Sequence, residues 1–249
     1  MNRRVAAVVL ALLIVGAGTA IFLLPRSSDT FKFDRELPEG EYDHITIQLR
    51  YIRDCTLNVS FVDDPDLMYT ISIQLYEPST ASAAFDIEII DYVQSFWTQI
   101  DGKVPMKSIQ LVLGTGLPYE LGVTGSNVNA TIIYANNAIG SESSLVYSPS
   151  DSILNLTLTQ DMVFSQTGME VSVGSIEEPD TVYLYTDLPA GVNGRAIFQG
   201  PLTIHSITGW EYRSEILDAV LYSTDPLDTE PLLAIGIRVV DRIHAWLID

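Results

Sequence analysis

The chain is 249 residues long, 47% hydrophobic and 18% charged, with 12 Tyr, 8 Phe and 3 Trp; it is too apolar and aromatic for a disordered tail and long enough to bury a sizeable core. Acids outnumber bases 32 to 13, a formal net charge of −19, so the surface field repels phosphate backbones and excludes nucleic acid as a partner. The lone Cys55 excludes an intramolecular disulfide and a multi-cysteine metal site, and its alternating surroundings predict a core position.

Arg3 and Arg4 precede an unbroken apolar run, Val5 to Leu24, of about the 20 residues a helix needs to cross a bilayer core. Thr19 is its only polar residue, so the run lacks the polar face of a globular core helix. Residues 1–25 are therefore expected to form a transmembrane signal-anchor. Gly18-Thr19-Ala20 resembles a cleavage site that would release a secreted protein, but Ile21 to Leu24 carry the apolar run past it and favour retention. Arg26, Lys32 and Arg35 add positive charge beyond the span, and the short N-terminal tail is read as cytoplasmic. Residues 26–33 read as a polar tether. Residues 34–249 read as an acidic, β-rich extracytoplasmic domain of a single-pass cell-membrane protein.

From there the dominant period is two. Ile45, Ile47, Leu49 and Tyr51 point one way and Thr46, Gln48 and Arg50 the other. Alternation returns in Leu57 to Phe61, Ile71 to Leu75, Ile109 to Leu113, Leu154 to Leu158, Met169 to Val173 and Leu202 to Ile204, and in Val182 and Leu184 with Tyr183 and Tyr185 opposite. One long final strand is predicted with Ile235, Ile237, Val239, Ile243, Ala245 and Leu247 on a single face, interrupted at Asp241. The best helical patterns, Phe85 to Ile100 and Tyr212 to Tyr222, carry enough β-branched and aromatic residues to be strands instead. Leu37-Pro38, Leu117-Pro118 and Leu188-Pro189 each stand near a glycine and ahead of a strand, a turn chemistry that suits a repeated corner.

The stretch GTGLPYELGVTGSNVNATIIYANNA, Gly114 to Ala138, ends a strand, turns at Leu117-Pro118-Tyr119 and starts a new rung at Val123 to Asn129. It resembles the bacterial and archaeal membrane-anchored toastrack and adhesin-type β-solenoid proteins, as does, more faintly, the Leu188-Pro189 region. The resemblance covers about a quarter of the chain, and glycine, turn and strand patterns of this kind occur in many β folds. It implies an envelope or surface scaffold and supplies no catalytic residues. The fold class expected is all-β, with β-solenoid-like stacked short strands after one N-terminal transmembrane helix. A β-sandwich is the alternative, kept open by the irregular section from Pro78 to Met106.

Chemical motifs are sparse. His44, His205 and His244 are isolated in sequence, with no metal-ligand spacing, and are expected on strand surfaces. No hydrolase, P-loop or dinucleotide motif is present, so no catalytic residue and no cofactor is assigned. The acid-proline loops offer hard oxygen ligands for calcium at Asp63, Asp64 and Asp66 and at Asp225, Asp228 and Glu230, without the spacing of an EF-hand. Asn58, Asn129 and Asn155 head N-glycosylation sequons. Tyr183 and Tyr185, with Trp210 and Tyr212, could line a carbohydrate or partner surface or simply fill the strands. The function expected is a non-enzymatic membrane-anchored surface protein, an envelope scaffold or adhesin-like binding module whose partners are envelope proteins or surface glycans. The alternatives are a carbohydrate-binding or glycoside-hydrolysing surface domain and a sensory or regulatory membrane subunit.

Overall fold

The protein is described by a computed structural model covering residues 27–37, 42–92, 95–134, 143–159, 169–174, 180–189, 192–225 and 231–249. The expected anchor, residues 1–25, lies outside the described residues. Among the described residues no helix is long and apolar enough to cross a membrane.

The chain is all-β. In order come β1 (Ser28–Glu36), β2 (His44–Phe61), β3 (Leu67–Ser79), the single-turn helix α1 (Ala81–Ala84), β4 (Phe85–Asp91), β5 (Ser95–Gly102), β6 (Met106–Leu113) and β7 (Tyr119–Tyr134). There follow β8 (Ser143–Ser150), β9 (Ile153–Leu158), β10 (Met169–Gly174), β11 (Thr181–Asp187), β12 (Gly194–Gln199) and β13 (Leu202–Thr208). The last are β14 (Glu211–Ile216), β15 (Ala219–Ser223), β16 (Leu233–Arg238) and β17 (Arg242–Ile248).

Parallel pairing arranges these strands as stacked rungs with two walls. The first wall runs β5, β2, β7, β8, β10, β16, β12. The second runs β6, β2, β7, β9, β11, β17, β13. Strands β2 and β7 pass through both walls, and the other rungs are pairs of strands, with corners described between β5 and β6, β8 and β9, β12 and β13, and β16 and β17. Spatial and chain order differ at both ends. β2 lies between the β5/β6 rung and β7, and β16/β17 lie between the β10/β11 and β12/β13 rungs.

Antiparallel strands finish the two ends. On one, β4 pairs with β5, β3 with β6, and β1 with β3. On the other, β15 pairs with β12 and β14 with β15. Phe31 and Phe33 of β1 meet buried Phe85 edge-on, with ring centroids 5.2 and 5.8 Å apart, which ties the first end to the core.

Period two in the sequence becomes continuous columns inside the stack. In the first wall Ile47, Leu121, Leu145, Val171, Ile235 and Ala196 lie in register, all buried. In the second, Leu57, Ala130, Leu154, Val182 and Ile243 do the same and end on Leu202. Each fully buried aliphatic side chain contributes about 1.5–3 kcal/mol relative to exposure, so the columns hold the rungs together. Interior tyrosines find partners for their hydroxyls. Tyr134 donates to Tyr119 O at 3.1 Å, Tyr119 to Met68 O, and Tyr69 shares a 2.9 Å hydrogen bond with Thr98.

Corners explain where simple alternation breaks. Tyr51, expected to face inward with Leu49, is 56% exposed, and Ile52 takes the core position. The backbone at Tyr51 has φ 55° and that at Asp54 φ 52°, so β2 turns from one wall to the other there and the inward phase slips by one. Asn127 of β7 (φ 52°) sits opposite Asp54, and Asp151, between β8 and β9, has φ 51°. Asn and Asp tolerate this left-handed conformation, and the Asn127 amide donates to Asp54 Oδ1 at 2.7 Å. Gly125 (φ 156°) is needed because a Cβ there would stand 1.9 Å from Ile52 O.

The two helical patterns are hairpins. Phe85 to Ile100 makes most of β4 and β5, and Tyr212 to Tyr222 makes β14 and β15 across Leu217 and Asp218, whose φ of 49° and 65° suits a two-residue hairpin turn. The long final strand is two strands, β16 and β17, with its corner at residues 239–241; all six predicted inward residues are buried. The Leu-Pro positions precede β2, β7 and β12, and their leucines, Leu37, Leu117 and Leu188, pack on the core.

Candidate functional site

The outward face of the second wall gathers the chain's unusual polar and aromatic side chains. One row, in register across seven strands, is Gln110, Asn58, Thr131, Asn155, Tyr183, His244 and Thr203. The next is Ile133, Thr157, Tyr185, Trp246 and Ser206. Neither row contains a carboxylate or a Lys or Arg. Charge returns in the flanking outward rows of the second wall, at Arg242 and at Asp187, and on the first wall it stands in the rows of Glu120, Glu170 and Arg195 and of Arg50, Asp101 and Arg238, on either side of the uncharged row of Gln48.

Parallel strands lie about 4.8 Å apart, close to the spacing of stacked rings, so identical outward positions on successive rungs place rings face to face. Tyr183 stacks on His244 with centroids 4.9 Å apart and planes 8° from parallel. His205 stacks on Trp246 at 4.3 Å and 11°, and on His244 at 5.1 Å and 24°. His205 reaches both because it is the extra residue of a bulge. Ile204 pairs with Ala245 and Ser206 with Trp246, leaving His205 between them. Its Nε2 lies 2.9 Å from His244 Nδ1, a hydrogen bond in which one imidazole donates and the other accepts.

Each imidazole therefore covers one ring face from the β13 side: His244 that of Tyr183, and His205 that of Trp246. On the side away from β13, the in-register neighbour of Tyr183 is Asn155 of β9 and that of Trp246 is Tyr185 of β11. There, a shallow depression of about 350 Å³ is lined by Asn155, Thr157, Tyr183, Tyr185 and Trp246, with Leu156 and Leu184 completing it. The Asn155 amide donates to Ala130 O at 3.4 Å, which fixes its orientation across the strand.

Other expected site residues are dispersed. Asp63, Asp64 and Asp66 occupy the turn between β2 and β3, where Asp64 Oδ1 accepts from the backbone N–H groups of Asp66 and Leu67 at 3.0 and 3.2 Å. That carboxylate closes its own turn. Asp225 follows β15 at the other end of the stack, and Asp228 and Glu230 lie outside the described residues. Among the described residues no three His, Cys, Asp or Glu side chains are grouped to hold a metal ion. Asn58 and Asn129 are exposed mid-strand, and Asn155 is half-buried in the depression. His44 lies on the first wall, 3.9 Å from Glu120 Oε1.

Trp210 is not part of the surface. It is 4% exposed and packs against Gly194, where a Cβ would stand 2.5 Å from its ring. Tyr212 is exposed but lies on β14, its ring 6.0 Å from that of Tyr222. Sequence reading therefore found Tyr183 and Tyr185 but not their association with His205, His244 and Trp246, which depends on rung order.

No family model matches the chain, and no curated protein does. Among solved structures it resembles one described as a "putative cell adhesion protein" from Clostridium sporogenes ATCC 15579. The TM-score is 0.60, over 88% of this chain and 99% of that one, at 12% identity. The likeness is one of fold.

Proposed function

We propose that the chain is a non-enzymatic, membrane-anchored surface protein whose β-solenoid serves as a rigid binding module. The observation that carries this reading is the pair of ring-bearing rows at the middle of the second wall's outward face, which hold no carboxylate, Lys or Arg in a chain of net charge −19. A surface kept soluble by like charge has a reason to omit charge where a partner docks, because burying an unpaired ion is costly. The fold likeness to a protein described as a "putative cell adhesion protein" supports the same class. The apolar run from Val5 to Leu24 supplies the anchor in this reading; residues 28–33, expected as part of a polar tether, belong instead to β1 and pack on the stack, so the stack begins close behind the anchor.

Protease treatment of intact cells tests the topology. The domain should be degraded while a cytoplasmic marker survives; a domain protected until the membrane is opened would overturn the reading.

A further inference from the structure

We infer that the depression between β9, β11 and β17 is a subsite for a pyranose ring of a neutral glycan. This rests on the surface-binding reading and deepens it. Three features converge on that ligand class.

The first is the pair of buttressed rings. His244 and His205 back Tyr183 and Trp246 at 4.9 and 4.3 Å, holding them upright with their other faces turned towards the depression. A sugar ring has one comparatively apolar face of axial C–H groups, which lies well on an aromatic face held in place beforehand.

The second is the hydrogen-bonding complement. Asn155 and Thr157, with the tyrosine hydroxyls, surround the ring faces with neutral donors and acceptors. Hydroxyl groups of a glycan can use both kinds from one position, whereas an apolar peptide side chain would leave them without partners.

The third is the absence of charge from both outward rows, from Gln110 to Thr203 and from Ile133 to Ser206. A uronate, sialate or phosphorylated sugar would find no Lys or Arg in these rows, the nearest, Arg242, standing one row away and 4.0 Å from Asp241, and would meet the protein's net negative field. The volume of about 350 Å³ suits one or two sugar units of a longer chain crossing the rungs.

Full-length protein in nanodiscs is titrated with cellohexaose, mannohexaose, chitohexaose and, as the charged comparison, hexagalacturonate, read by calorimetry and tryptophan fluorescence. At least one neutral hexaose should bind, and hexagalacturonate should bind about tenfold more weakly or not at all. Trp246→Ala should lower affinity about tenfold, and His205→Ala, which leaves the ring but removes its support, by about threefold. Thr157→Glu, an outward change that spares the core, should abolish binding at an unchanged melting temperature.

Failure of every neutral hexaose at millimolar concentration overturns the inference. So does tighter binding of hexagalacturonate, or unaltered binding by both Thr157→Glu and Trp246→Ala. If the hexaoses fail while the domain is degraded on intact cells, the glycan inference falls and the surface reading stands. If a hexaose binds as stated but the domain is protected, the surface reading falls and the subsite stands.

Discussion

Cys55 is 4% exposed, and burial, with a smaller contribution from the charge of Asp54, raises its thiol pKa from 9.0 to about 11. Its folded value exceeds its unfolded one, so the neutral thiol contributes stability that is complete below pH 9 and is lost between pH 9 and 11. The loss is about 2–3 kcal/mol. Unfolding free energy measured against pH should fall over that window, and Cys55→Ala should flatten the fall while shifting the whole curve down. Tyr69, Tyr119 and Tyr147, also raised chiefly by burial, add their own fall from about pH 10 upwards, but equally in both proteins, so the difference between the two isolates the thiol. At the corner, Asn127→Ala should cost about 2 kcal/mol in urea denaturation, from left-handed strain and the lost bond to Asp54, and Asn127→Gly less than about 1 kcal/mol. Equal losses in the two variants would show that φ 52° is not what Asn127 contributes.

Strands differ in how completely they are paired, and that sets their protection. β2 and β7 have neighbours on both sides along both walls, whereas β1, β4, β13 and β14 each have a neighbour on one side only. Amide exchange followed by mass spectrometry should therefore be slowest in β2 and β7 and fastest in those four edge strands; comparable rates would contradict the pairing. At this scale the sequence was informative wherever one face is buried. The alternation of Ile45, Ile47 and Leu49, or of Leu154, Leu156 and Leu158, follows directly from the pleat. It misled at Tyr51, where the corner shifts the inward phase to Ile52, and across Val239 to Asp241, where the corner leaves the phase intact and two strands read as one. The better sign of the repeat was the series Asp54, Asn127 and Asp151, left-handed residues at the corners of three neighbouring rungs, which looks like ordinary polar sequence until the strands are aligned. The pairing of His205 with His244 had no local signal, since a bulge and a non-sequential rung order bring them together.

Across the whole molecule, a net charge of −19 on one stack produces self-repulsion that salt relieves. The melting temperature should rise by a few degrees between about 10 and 150 mM NaCl. Calcium at matched ionic strength tests the acid-proline turns. A further rise abolished by Asp63→Asn with Asp66→Asn would locate a site there, and coincident curves would mean screening alone. The placement of β16 and β17 between rungs made earlier in the chain also bears on synthesis. Before residues 233–248 arrive, β10/β11 and β12/β13 face each other across a gap of about 10 Å, each with a row of unpaired backbone groups. Residues 233–248 are thus a keystone between strands that precede them in the chain. A chain interrupted before them would keep two adhesive strand edges open.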